Sequence, residues 1–267
     1  MKHLTNFKKF NFTSLLVILF VLLYLTSCSD AIDDNFDPKQ FKSHTKKESR
    51  TYKACDQLSD TCTYIEINSL VFDHLAEYEN LQNISRQLDI ILLGREISTV
   101  DSVCADFINE YDRIVNDSVM MAEEYSLAWY DNREAEMISV KKRVISIKCV
   151  IKSFYGGAHP NEYVYLRNFI PHSGDSLGLG MIFNASSLKE LRTLAEFTFR
   201  KKYDLSDDET FESAGYWFED NNFELSTNFA FTEQGLWFYY NNYEIAPYSM
   251  GASEIVVPYS IIMHLFE

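Results

Sequence analysis

Residues 144–169 read VISIKCVIKSFYGGAHPNEYVYLRNF. Ile145, Ile147, Cys149 and Ile151 recur at every second position, opposite Val144, Ser146, Lys148 and Val150, which is the period of a β-strand. Gly156, Gly157, Ala158, His159 and Pro160 then punctuate the chain, and Tyr163 to Phe169 return as an antiparallel partner. The glycine pair suits a tight reversal, because glycine alone enters positive φ without steric cost. A sheet built from hairpins is the starting expectation.

Downstream, Ser187, Leu188, Lys189 and Glu190 have the spacing of a capping box. Leu188, Leu191, Leu194, Ala195 and Thr198 give the apolar stripe of a helix that ends near Tyr203. Asp204 to Glu212 is an acidic loop, and Asn228–Phe231 with Leu236–Tyr240 form a hairpin around Thr232, Glu233, Gln234 and Gly235. The next stretch, from Trp237, is WFYYNNYEIAPYSMGASEIVVPY. It breaks at Asn241 and Asn242 and resumes as a strand at Ile255 to Val257. A loop holding Pro, Tyr, Met and Gly between two strands exposes side chains that a core would hide, and binding function concentrates on such loops. Candidate binding residues are therefore Tyr243, Glu244, Pro247, Tyr248, Ser249 and Met250, with His159 of the earlier turn. Tyr243, Ile245 and Pro258 are expected to fix the loop, leaving Tyr248, Ser249 and Met250 for a partner.

Upstream, Tyr64 to Phe72 alternates as a strand, and Ile84, Leu88, Ile91 and Leu92 mark a helix that Gly94 stops. Thr99 to Val115 is an amphipathic helix with Val103, Cys104, Phe107 and Tyr111 on its apolar stripe and Ser98 with Asp101 as its cap. Tyr125 to Tyr130 reads as a further strand. The fold class is α+β: antiparallel sheets packed with a few amphipathic helices, in two intimately associated subdomains at 51–142 and 143–267.

The first 27 residues have the order of a secretory signal: Lys2, Lys8 and Lys9, an apolar run from Phe12 to Leu25, then Leu25, Thr26, Ser27 and Cys28. LTSC resembles the lipobox of bacterial lipoproteins, with Cys28 as the lipidated residue and export to the cell envelope, the outer membrane, as the consequence. Residues 28–50 are polar, open with Asp30, Asp33, Asp34 and Asp37 and read as a tether similar to the acidic export signals of Bacteroidetes surface lipoproteins. Without residues 1–27 the chain carries 21 basic and 39 acidic residues, a net charge of −18. That balance disfavours nucleic acid and anionic membrane surfaces and favours cationic partners, the lipid anchor being the sole membrane contact. Cys55, Cys62, Cys104 and Cys149 permit two disulfides in an exported protein. Cys55–Cys62 and Cys104–Cys149 are the favoured pairs, the second on the expectation that helix and strand face each other; two buried free thiols are the alternative.

Taken together, SIKCVIKSFYGGAHPNEYVYLRNF, the capped helix, NFAFTEQGLWFYYNNYEIAPYSMG and EIVVPYSII resemble the RsiV-like extracellular domain family. That family includes the ectodomain of a lysozyme-sensing anti-sigma factor and the domain preceding the catalytic domain of PdaC-type peptidoglycan deacetylases. Gly156–Pro160 match its GGAHP turn. Tyr243 to Tyr248 and Gly251 match YEIAPYAxG, with Ser249 in place of alanine, and Glu254, Pro258 and Tyr259 match the closing E…PY. The aspartate that commonly follows the asparagine of the first hairpin is absent, since Phe169 follows Asn168. The resemblance implies a non-catalytic binding module whose partner is lysozyme or a related cationic muramidase; deacetylase chemistry does not come with it. A peptidoglycan or glycan-binding module is the alternative, and a cell-wall-modifying enzyme a third.

The residues themselves agree on catalysis. HExxH, CxxC, GxSxG and a phosphate-binding glycine loop are missing from the chain. His159, His172 and Asp175 lack a third ligand of convincing spacing, so a structural turn histidine is the reading, with no cofactor and no metal. Glu244 is expected to hydrogen-bond the backbone of its loop rather than to act as a general acid.

Overall fold

A computed structural model describes residues 37–39, 41–73, 79–94, 98–116 and 128–266. The signal segment, Cys28, the start of the tether and residues 125–127 of the expected strand lie outside the described residues. The hairpin that opens the sequence reading is present as β4 (Val144–Phe154) and β5 (Asn161–Phe169), paired antiparallel from Ile145↔Phe169 to Ser153↔Asn161. Gly156 and Gly157 take φ of +85° and +105° in its turn, as their lack of a side chain allows.

β4 lies between β3 and β5 in a five-stranded sheet of order β1-β2-β3-β4-β5, with β1 at Ser43–Thr51, β2 at Tyr64–Phe72 and β3 at Tyr130–Lys141. All pairs are antiparallel except β2 with β3, which is parallel. A parallel pair needs a crossover, and helices α1 (Glu79–Leu93) and α2 (Val100–Asn116) supply it. They pack on one face of the sheet, α1 over β2, β3 and β4, and α2 over β1 and β2. Against the other face lies a three-stranded sheet, β6 (Phe229–Phe231), β7 (Gly235–Tyr240) and β8 (Ser253–Pro258), in that order. Val144, Ile145, Ser146, Ile147, Cys149 and Val150 are all buried, so β4 reads as a nearly continuous apolar run because both its faces are covered. The fold class is the α+β expected.

Three helices complete the chain: α3 (Leu179–Ile182), α4 (Ala185–Lys202) and α5 (Tyr259–Ile262). Leu191, Ala195 and Phe199 recur at four-residue intervals on α4 and are fully buried. Phe199 anchors the second core: Phe211, Tyr216, Phe218, Phe223 and Tyr240 surround its ring at centroid distances of 4.9 to 6.2 Å. Residues 203–228, almost without regular structure, are thereby folded into the core by their aromatic side chains. Arg200 clamps them, donating from Nη1 to the carbonyls of Ser206 (3.1 Å) and Glu209 (2.9 Å) and lying 4.2 Å over the Phe211 ring.

Several sequence expectations change. Ser43–Arg50, assigned to the tether, is edge strand β1: its pairing with β2 gives the backbone its bonds, while Lys46, Lys47 and Glu48 keep its exposed face polar, the usual defence of a sheet edge. The boundary drawn between 142 and 143 falls in the β3–β4 turn of one continuous sheet, and residues 37–267 form a single compact unit. Thr99, not Ser98, caps α2: its Oγ1 accepts from Ser102 N at 3.1 Å while Ser102 Oγ accepts from Thr99 N. Asn184, not Ser187, caps α4, its Oδ1 accepting from Ser187 N at 2.9 Å.

The disulfide Cys55–Cys62 is present, with Cα atoms 5.6 Å apart. Cys104 and Cys149 are buried free thiols. The expected bond fails because the helix carrying Cys104 sits over β1 and β2, while α1 covers β4 and Cys149. Burial pushes both thiols up, Cys149 to about 12.

Candidate functional site

The segment after β7 leaves the sheet through two asparagines, and the first ties it down. Asn241 Oδ1 accepts from Val164 N at 2.7 Å and its Nδ2 donates to Val164 O at 3.1 Å, so one side-chain amide pairs with the free edge of β5 as a strand would. Asn228, at the entry to β6, does the same, accepting from Leu166 N (2.6 Å) and donating to Val164 O (2.8 Å). Asn168 and Ser146 answer from the other sheet: Asn168 Nδ2 donates to Phe229 O at 2.8 Å, and Ser146 Oγ, itself bonded to Asn168 at 2.7 Å, accepts from Phe231 N. Side-chain amides thus satisfy two strand edges that no further strand among the described residues covers. The base of the loop is rigid for that reason.

Above this base Glu244 folds back, its Oε2 accepting from Asn241 N at 2.8 Å, so its carboxylate closes the turn as expected of it. The reversal places Tyr243 at φ +66°, a left-handed backbone that a tyrosine adopts at a cost of about 1 kcal/mol. Ile245 and Ala246 are buried, and Trp217 N donates to Ile245 O at 2.8 Å. Pro247 leads into a single 3₁₀ turn, Tyr248–Met250, which ends at Gly251.

The hairpin turn and this loop, far apart in sequence, come together. The rings of His159 and Tyr248 stack at 3.8 Å and 17°, Tyr248 Oη donates to Pro160 O at 3.0 Å, and His159 Nε2 lies 3.2 Å from Tyr243 Oη. The two aromatic roles assigned from sequence are therefore exchanged in part. Tyr248 is half-buried on His159, whereas Tyr243, a candidate binding residue also expected to fix the loop, is 54% exposed. Ser249 and Met250 are exposed as expected, while Pro247 is half-buried.

Trp217, which sequence reasoning did not single out, belongs to the same surface. It is 54% exposed, and a side chain on neighbouring Gly215 would meet Met250 Sδ at 3.1 Å, which places Met250 (42% exposed) against that segment. Its signal was available in the sequence: Trp217 lies between Tyr216 and Phe218, two residues that the Phe199 core consumes, and alternation on an extended segment turns the middle ring outward. From Tyr203 to Glu224 the chain has eight carboxylates and no lysine or arginine. Exposed Trp217 thus lies on the acidic segment, against which Met250 rests, and exposed Tyr243 stands on the same loop as Met250.

The His159 nitrogens face Pro160 O and Tyr243 Oη, and neither meets a carboxylate that would orient a general base. His172 and Asp175 follow β5 and His159 precedes it, so the strand separates them by roughly 25 Å. Asp175 is engaged with Asn83 at 3.2 Å. Among the described residues no group of three or more His, Cys, Asp or Glu is arranged to hold a metal ion.

Residues 181–260 match the family described as "Protein of unknown function (DUF3298)", a span that includes α4, the acidic segment, β6 to β8 and the whole loop. No curated protein matches the chain. Two solved structures are similar: a DUF3298 family member from Bacteroides fragilis NCTC 9343, at 19% identity and a TM-score of 0.67, and one from Pseudomonas aeruginosa PAO1, at 18% identity and 0.61. Each alignment covers 85% of this chain and 94% of the other. At these identities the likeness is one of fold.

Proposed function

We propose that this chain is a non-catalytic, lipid-anchored binding protein of the bacterial cell envelope whose Trp217–Tyr243–Met250 surface captures a cationic protein, lysozyme or a related muramidase. One observation carries the reading: Tyr243 and Met250 are held exposed on a loop with a hydrogen-bonded base, beside an acidic segment that exposes Trp217. An exposed apolar patch with a polar surround is the usual form of a protein-binding site, and aromatic anchors dominate such interfaces. Tyr243 is kept in a left-handed backbone, which a residue other than glycine adopts at a cost. The acidic balance of the chain steers a basic partner toward it. The RsiV-like resemblance of the YEIAPYSMG segment supplies the muramidase, and the lipobox-like LTSC supplies the anchor.

The test is calorimetric titration of the full chain, in detergent micelles, with lysozyme at low and at physiological salt. Saturable binding that weakens with salt is expected, because an acidic surface meeting a basic one is screened. No binding at either salt would falsify the lysozyme reading.

A further inference from the structure

The sheet face turned away from α1 and α2 is covered by the three-stranded sheet at one end, where Val150, Val164 and Leu166 pack on Ala230. At the other end Tyr64, Tyr130 and Phe154 stand in register across β2, β3 and β4. Their rings are nearly parallel, at 22° and 29°, with centroids 6.3 and 6.2 Å apart, and each is only partly buried. Polar groups of defined geometry share this face. Asn132 Nδ2 donates to Tyr64 Oη at 3.1 Å, and Lys152 Nζ lies 3.3 Å from Glu162 Oε2. Burial first, then the phenols of Tyr64 and Tyr248, push the Tyr130 hydroxyl up. The Tyr248–His159 stack closes the row at the hairpin end.

We propose that this row is the floor of an oligosaccharide-binding groove, with a strand of neutral pyranose units as its ligand. Tyrosine and phenylalanine rings offer the apolar contact that the C–H faces of a sugar need, and the two phenols, Asn132, Lys152 and Glu162 offer donors and acceptors for its hydroxyls. Charge decides against a polyanion. Lys152 pairs with Glu162, and Glu66 and Glu134 stand on the same face, so the groove has no excess of positive charge to hold one. Its rings are half-buried and two of the three carry hydroxyls, whereas the patch presents the more exposed Trp217 and Met250. A ligand both apolar and densely hydroxylated fits the first and not the second. The floor stands on three paired strands, so its rings are held in place before any ligand arrives.

The experiment uses the full chain in detergent micelles and titrates N-acetylchitotetraose and, separately, cellotetraose by calorimetry, with tyrosine fluorescence as a second readout. Saturable binding of at least one is expected. Tyr130→Ala weakens it about ten-fold and Asn132→Ala about three-fold, the scale of one aromatic contact and one hydrogen bond. Trp217→Ala leaves it within about two-fold of the parent, as a side chain outside the groove should. If Tyr130→Ala lowers the melting temperature, Asn132→Ala and Lys152→Met decide the outcome. Saturation by neither sugar, or parental affinity in those variants, overturns the groove. Sugar binding without lysozyme binding removes the protein-capture reading alone, and the reverse result removes the groove alone.

Discussion

Phe199 and Tyr243 stand at the two ends of one aromatic system. Around Phe199 the rings of Phe211, Tyr216, Phe218 and Phe223 are withdrawn from water, and they give a long irregular segment its shape. Around Tyr243 the rings of Tyr248 and His159 are half outside, and its loop is fastened by the Asn241 amide instead of by burial. Residue type does not separate the two regions; fastening does. The buried set gains its free energy by leaving water, whereas the outer set forgoes that gain and is positioned by hydrogen bonds, which orient but stabilise little. Removing a ring should therefore cost stability in the first region and binding in the second.

The largest effect belongs to Phe199→Ala. The ring is fully buried at the centre of six others, and its loss should destabilise the chain by about 3–5 kcal/mol, measured by urea denaturation. A cost as small as that of an exposed substitution would break the contrast. Alkaline pH comes next. Cys149 is raised from 9.0 to about 12, and Tyr239 and Tyr259 from 10.0 to about 12, burial being the first cause in each. A raised pKa means that the folded state holds the proton more tightly, so this stability is complete below pH 9 and is lost as pH climbs toward 12. From Cys149 alone the loss is at most about 4 kcal/mol. Stability unchanged between pH 9 and 12 would contradict the burial.

Arg200→Ala tests the link between the regions. Arg200 is largely buried and bonds the carbonyls of Ser206 and Glu209, so its removal should cost about 2 kcal/mol and open residues 203–228 to protease. Because Trp217 rides on that segment, lysozyme affinity should fall with it. Affinity that survives a proteolysed segment would detach Trp217 from the proposed surface.

The contrast also marks what a sequence can declare. β4, β5 and the β6–β7 hairpin were legible because alternation and glycine turns are local signals. β3 was not: Asp131, Arg133, Glu134 and Glu136 make it look solvated, and its place inside the sheet depends on partners that come from elsewhere. Asp131 is fully buried because Arg133 bonds both its oxygens, at 2.9 and 2.6 Å, and Tyr155 donates to it from the next hairpin. β1 was hidden for the opposite reason, since an edge strand is polar by necessity and shares its composition with a tether. At the site, the loop and the turn were visible as motifs, but the exchange between Tyr243 and Tyr248 was not. It follows from the backbone reversal imposed by Glu244 and from the proximity of His159, neither of which has a period.

Tyr243→Asn is the smallest change in stability and the most informative. Asparagine tolerates a left-handed backbone better than tyrosine, and the position is more than half exposed, so folding should be unaffected or gain up to about 1 kcal/mol. If the outer set is there to be touched, the same variant should bind lysozyme about ten-fold more weakly, the scale of a lost aromatic anchor. Stability and affinity would then move in opposite directions at one residue, as they do where a strained backbone is kept for contact. A variant that lost both would place Tyr243 with Phe199, as a fastening of the fold through its hydroxyl on His159. A variant that lost neither would leave Trp217 and Met250 to carry the surface without it.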